Sequence, residues 1–158
     1  MTKRKVLARI DYLDNQIQSN PVDSESYQYA SIELQHMILD KIGIREVDFF
    51  GKALERPLTN EEIADLIEAE EKGTPLNEAI TLPANADAAY TIRLQRQHMN
   101  MTQKELAGKI GMRQSQLAKI ESGQLNVSLN ALQRAMAVFG KPYTIQPLRK
   151  GQFHISAK

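Results

Sequence analysis

The sequence predicts a mainly α-helical protein with a short β strand or hairpin at its C-terminal end. Three observations carry this. Apolar residues recur at three- and four-residue spacings through most of the chain. Capping residues stand before those runs and glycines after them. Only the last segment, "KPYTIQPLRKGQFHISAK", alternates apolar with polar side chains.

Taken in order, Val6, Ile10, Leu13 and Ile17 share one helix face and predict a helix over residues 3–18. "SNPVDSES" supplies a turn, with Asp23 or Ser24 as the N-cap of a second helix ending near Lys41. Tyr27, Leu34 and Ile38, with Ala30 and Ile42, form its inner side, and Gly43 stops it. Two helices so joined make an antiparallel hairpin. "IREVDFFGKALERP" reads as a loop or a short helix ended by Pro57. "LTNEEIADLIEAEEKG" carries a capping box, Thr59 with Glu62, and an apolar stripe of Ile63, Leu66 and Ile67 closed by Lys72-Gly73. "TPLNEAITLPANAD" reads as a short strand over 79–82 or as an extended linker.

Four more helices follow. The first spans about 87–98, with Ala89, Ile92 and Leu94 available for packing and Asn100 suited to a left-handed turn. The second spans 103–110, capped by Thr102 and ended by Gly111. The third spans 114–122, with Leu117 and Ile120 inward and Gly123 after it. The fourth spans 129–139, capped by Ser128 and ended by Gly140. In the final segment Tyr143 and Ile145, then Phe153 and Ile155, alternate on either side of Lys150-Gly151, as a hairpin requires.

Composition excludes several classes. Cysteine is absent, which rules out disulfides, thiolate nucleophiles and Cys-based zinc sites. His36, His98 and His154 are scattered without metal-like spacing and read as incidental, so neither a metal nor a cofactor is expected. No nucleophile motif points to catalysis, and no enzyme is expected. No apolar run approaches a bilayer span, and "MTKRKVLARIDYLDNQI" lacks the apolar block of a secretory signal, so a cytoplasmic protein is expected. Charge is unevenly divided. Residues 1–84 carry 9 Lys/Arg against 16 Asp/Glu, a net of −7, while residues 85–158 carry 11 against 3, a net of +8. A domain boundary near residue 84 follows. The acidic half reads as a partner-binding or dimerisation region, the basic half as a phosphate-binding unit. The acids of the 59–72 segment, Glu61, Glu62, Glu68, Glu70 and Glu71, read most simply as a solvated face.

The stretch "MTQKELAGKIGMRQSQLAKIESG", residues 101–123, holds two short amphipathic helices meeting at Gly111. Two helices joined by so short a turn form a helix-turn-helix. Gly111 permits the sharp turn, and the small pair Ala107-Gly108 lets the second helix cross the first. Gln114, Ser115, Ala118 and Lys119 fall opposite Leu117 and Ile120, where side chains can reach base edges in a major groove. Gln pairs with adenine through two hydrogen bonds, Arg with guanine, and Ala touches a thymine methyl. Gln103 opens the preceding helix, where a side chain and the terminal amides can hold a phosphate.

Here the chain resembles a known family. Residues 92–139, through "IRLQR", "TQKELAGKIG", "QSQLAKIESG" and "SLNALQRAMAVFG", are similar to the Xre or lambda-repressor-like helix-turn-helix family. The resemblance implies a lambda-repressor-like bundle binding double-stranded DNA. It places base-reading positions at Gln114, Ser115 and Lys119, with Arg113 adjacent, and phosphate contacts at Gln103 and Asn126. It also implies a buried ion pair between Arg96 and Glu121. One departure stands out: Arg113 occupies the place where the family has a Ser or Thr N-cap, at a cost of up to about 1 kcal/mol. The whole layout resembles HigA- and HipB-type antitoxin repressors. That implies a homodimeric, sequence-specific repressor in the bacterial or phage nucleoid, autoregulating its operon, with a basic toxin docked on residues 1–84. The candidate strand over 142–148 offers an edge for pairing with its copy. The alternative is a stand-alone or phage-type Xre regulator whose N-terminal region senses a ligand or dimerises.

Overall fold

The computed structural model describes residues 2–140, 143–149 and 152–157, the last two segments through their backbone. The chain divides into two compact units: Met1–Gly51 with Glu55–Ile80, and Lys52–Leu54 with Thr81–Lys158.

The first unit is helical. Helices α1 (Lys3–Ser19) and α2 (Glu25–Lys41) form an antiparallel hairpin against which α4 (Asn60–Lys72) packs. Val6, Ile10 and Leu13 bury the inner face of α1. Ser24 is the N-cap of α2, its hydroxyl accepting from the Tyr27 N–H at 3.2 Å. Pro21 and Ser24 complete the turn. The stretch that reads as a loop or short helix is a full helix, α3 (Ile44–Leu54). Its adjacent Phe49 and Phe50 are both buried and meet edge to face, ring centres 6.0 Å apart. Two consecutive buried aromatics hide the three-to-four spacing that marks a helix.

The capping box of α4 is present in both directions. The Thr59 hydroxyl accepts from the Glu62 N–H at 3.1 Å, and the Glu62 carboxylate accepts from the Thr59 N–H at 2.9 Å. The Arg56 guanidinium grips the same carboxylate at 2.7 and 3.0 Å and, first among several causes, holds its pKa at about 2. The α4 acids are therefore more than a solvated face. Lys3 Nζ lies 3.2 Å from Glu61 and 2.7 Å from Asp65, and Glu68 takes both the Lys3 N–H and Lys72 Nζ. Charge fastens the start of α1 to α4.

After Gly73, in the left-handed region, a one-turn helix α5 (Leu76–Ala79) leads into an extended stretch. Ile80 has extended backbone angles, yet residues 80–83 pair with no strand among the described residues, so the stretch is a linker. In the second unit α6 spans Ala84–His98, starting three residues before the spacing predicts because Pro83 accepts the Asp87 N–H and pre-sets the first turn. Helices α7 (Gln103–Ile110), α8 (Gln114–Glu121) and α9 (Leu129–Phe139) follow. Ile92, Leu106, Ile110, Leu117, Leu132, Met136 and Phe139 close one core among the four helices. Strands β1 (Tyr143–Arg149) and β2 (Gln152–Ala157) pair antiparallel, Ile145 opposite Ile155, and β2 lies alongside α6. Their register shifts between Pro147 and Arg149, where proline has no N–H to give to a ladder. The Lys150-Gly151 turn expected between them lies outside the described residues.

Candidate nucleic-acid interface

Three devices fix α8 in place. The first is the turn. Gly111 ends α7 in the left-handed region at φ 69°, and its N–H and that of Met112 return to the Ala107 carbonyl. The Arg134 guanidinium, reaching from α9, donates to the Ile110 carbonyl at 3.4 Å and supports the same helix end. Gly108 has no part in this. It is exposed, and a Cβ built there meets nothing within 4 Å, so Ala107 alone supplies the small residue at the crossing.

The second device is a buried ion pair. Arg96 on α6 holds Glu121 on α8 through two parallel bonds, Nε to Oε2 and Nη2 to Oε1, each 2.8 Å. Glu121 is fully buried. The third arm of the guanidinium donates to the Met101 carbonyl at 2.7 Å, so one side chain ties α6, the turn before α7, and α8. Gln103 joins this cluster, its amide nitrogen donating to Glu121 Oε1 at 3.3 Å. A phosphate contact by Gln103 would use the other N–H of that amide.

The third device is the loop after α8. The Asn85 side chain accepts from the Val127 N–H at 2.6 Å, pinning the segment that carries exposed Asn126. Neither Asn85 nor Arg134 announces itself in the sequence. Each acts on a backbone group far along the chain, and no local spacing marks such a contact.

The outer surface of α8 is polar. Arg113, Gln114, Ser115, Gln116 and Lys119 are exposed, and Leu117, Ile120 and Glu121 are buried. Ser115, Lys119 and Ser122 follow one another at four and three residues on the outward side. Arg113 is the N-cap in position but not in chemistry. A guanidinium has only donors, and no side-chain cap forms. Instead the Gln116 side-chain oxygen accepts the Arg113 N–H at 3.2 Å, which leaves the guanidinium free to point outward. Over residues 85–140 the exposed charges are Lys104, Lys109, Arg113, Lys119 and Arg134 against Glu105 alone, because Asp87 and Glu121 are buried. Among the described residues, Lys104, Lys109, Arg113 and Lys119 make no ion pair. Such a surface keeps its positive potential for an outside anion.

Among the described residues no cluster of His, Asp and Glu could hold a metal, and no helix is long and apolar enough to cross a membrane.

The geometry is that of a helix-turn-helix unit, and residues 92–145 match the helix-turn-helix family model. Over 54 residues the chain is 41% identical to a Haemophilus influenzae protein named "Uncharacterized HTH-type transcriptional regulator". That match covers 34% of this chain and 55% of the relative, so the chain spans about half the length of the relative it matches. No solved structure matches the chain.

Proposed function

We propose that this protein is a DNA-binding transcription regulator that lays α8 in the major groove. The observation that carries the reading is the outward first turn of α8. It presents Arg113, which makes no ion pair among the described residues, with Gln114 and Ser115, Lys119 one turn on, over a surface with few exposed acids. Gln114, Ser115 and Lys119, with Arg113 at the groove entrance, face the bases; Gln103 and Asn126 hold the flanking phosphates. The helix-turn-helix match and the relative's name support the same reading. One such unit covers a single half-site, so a homodimer reading two half-sites about one helical turn apart is the working form. The test is a titration against duplexes enriched from a random pool. Gln114→Ala is expected to weaken the enriched site by about 1–3 kcal/mol and to relax preference at one base. Equal affinity of the two proteins removes Gln114 from the interface. No duplex binding by the wild type at low ionic strength sinks the reading as a whole.

The finer reading is the antitoxin of a type II toxin–antitoxin pair, repressing its own operon. The net charge of −7 over residues 1–84 favours it, as a counter-surface for a basic toxin. A stand-alone or phage-type Xre regulator is the alternative. The full chain is expected to co-purify with a basic protein encoded beside it and to neutralise it. A version lacking residues 1–80 should lose neutralisation and keep duplex binding. Neutralisation by the shortened protein would remove the docking assignment.

A further inference from the structure

Helix α2 has more apolar surface than its own unit covers. Of its 17 residues only Ala30 is fully buried. Tyr27, Leu34 and Ile38 turn inward and are half-buried. Tyr29, Ile32 and Leu39 are 64%, 57% and 48% exposed. With His36, also exposed, they follow one another at three, four and three residues, a single stripe down the outer side. Val22 just before the helix and Ile44 just after it are each 70% exposed. At the upper end Tyr12 of α1 joins the stripe. The Arg9 guanidinium lies 5.3 Å from the Tyr12 ring centre and is paired with Glu33, the carboxylate that also draws the Tyr29 hydroxyl. Exposed tyrosines beside an arginine are the composition of a binding hot spot rather than of a solvated face.

The pattern of the stripe identifies its occupant. It reads the same in both directions about residue 34. In an antiparallel copy Tyr29 lies opposite Leu39 and Ile32 opposite His36, while Val22 and Ile44 stand at the two ends. Charges complement in that register. Asp23 at the N-terminal end comes beside exposed Arg45 of the copy, and Asp40 meets uncharged Gln28, while Lys41 turns to Glu71 on α4 of its own chain. A parallel copy would stack Asp23 on Asp23 and Arg45 on Arg45, which repels. We infer that α2 packs antiparallel against α2 of a second copy of this chain across a two-fold axis, with Tyr29, Ile32 and Leu39 at its centre. Such a contact is isologous, so each substitution in it counts twice. The inference names the surface behind the dimeric reading above and stands without any contact to DNA.

The test uses the full chain and no DNA, so its failure and the failure of the DNA reading are separate results. Sedimentation equilibrium of the wild type is expected to show a dimer at micromolar concentration. Ile32→Glu and, separately, Leu39→Glu should raise the dimer dissociation constant on the order of 100-fold, with the far-UV spectrum unchanged. A wild-type monomer overturns the proposal, as does a dimer that both folded variants retain. Orientation is read by oxidation, since the chain has no cysteine of its own. Mixed Tyr29→Cys and Leu39→Cys proteins are expected to form the hetero-disulfide. Neither alone should cross-link, because like positions stand about 15 Å apart along antiparallel helices. Cross-linking of each variant with itself and not with the other overturns the antiparallel pairing.

Discussion

Replacing Glu121 by Ala is expected to destabilise the helix-turn-helix unit by about 3 kcal/mol. The substitution leaves the Arg96 guanidinium among α6, α7 and α8 with the Met101 carbonyl as its remaining partner, and it takes from Gln103 its acceptor. Most of the loss is the penalty of a buried cation without a counter-charge, not the worth of two hydrogen bonds. The double replacement Arg96→Met with Glu121→Leu removes both charges and both desolvation costs. It should return to within about 1 kcal/mol of the wild type. Urea unfolding followed by far-UV dichroism measures both, as a shift in midpoint at unchanged slope. If Glu121→Ala lowers stability no more than an exposed pair would, under about 1 kcal/mol, the pair does not hold the helices together. The double variant, stable but without the tie, should then bind duplex less tightly than the wild type, because α8 has lost the bond that fixes its orientation.

How much of this was legible in the sequence depends on where each residue's partner lies. Caps and stops act within four residues, so Thr59, Thr102, Ser128, Gly111 and Gly140 mark their helix ends without help. For α3 the sequence leaves loop and short helix both open, because Phe49-Phe50 bury side by side. Strand and extended linker both stay open for 79–82 in the sequence because Ile80 and Leu82 are apolar and buried, which extended chain achieves without a ladder. Charged residues are read as outward by default, so the burial of Asp87 and Arg93 in α6 had no sequence signal. The Arg96–Glu121 pair spans 25 positions and came only from the family resemblance. The second face of α2 was invisible for another reason. A helix apolar on two sides shows no single stripe, and choosing Tyr27, Leu34 and Ile38 as the inner side left Tyr29, Ile32 and Leu39 unassigned.

Reversing Arg113 and Lys119 together to Glu is expected to lower duplex affinity by at least about 100-fold near 0.1 M salt, roughly 3 kcal/mol. Both side chains are exposed and neither makes an ion pair among the described residues, so nothing in the unit compensates the change or depends on it. Folding should move by less than about 1 kcal/mol. An acid at the start of α8 suits the helix dipole, and an acid in its last turn opposes it, each by a few tenths of a kcal/mol. The loss at the interface comes from two sources. Two cations no longer add to the positive potential over the duplex, which should flatten the dependence of log affinity on log salt, by about one unit for each of them that neutralises a phosphate beside the base it faces. Two anions now stand where the duplex is most negative, and that repulsion weakens further at high salt. Neutral Arg113→Ala with Lys119→Ala separates these contributions, keeping the flatter slope while losing less affinity. Should the reversed protein bind with the wild-type slope, the duplex must lie on another face of the unit, and Lys104 and Lys109 on α7 become the cations to test.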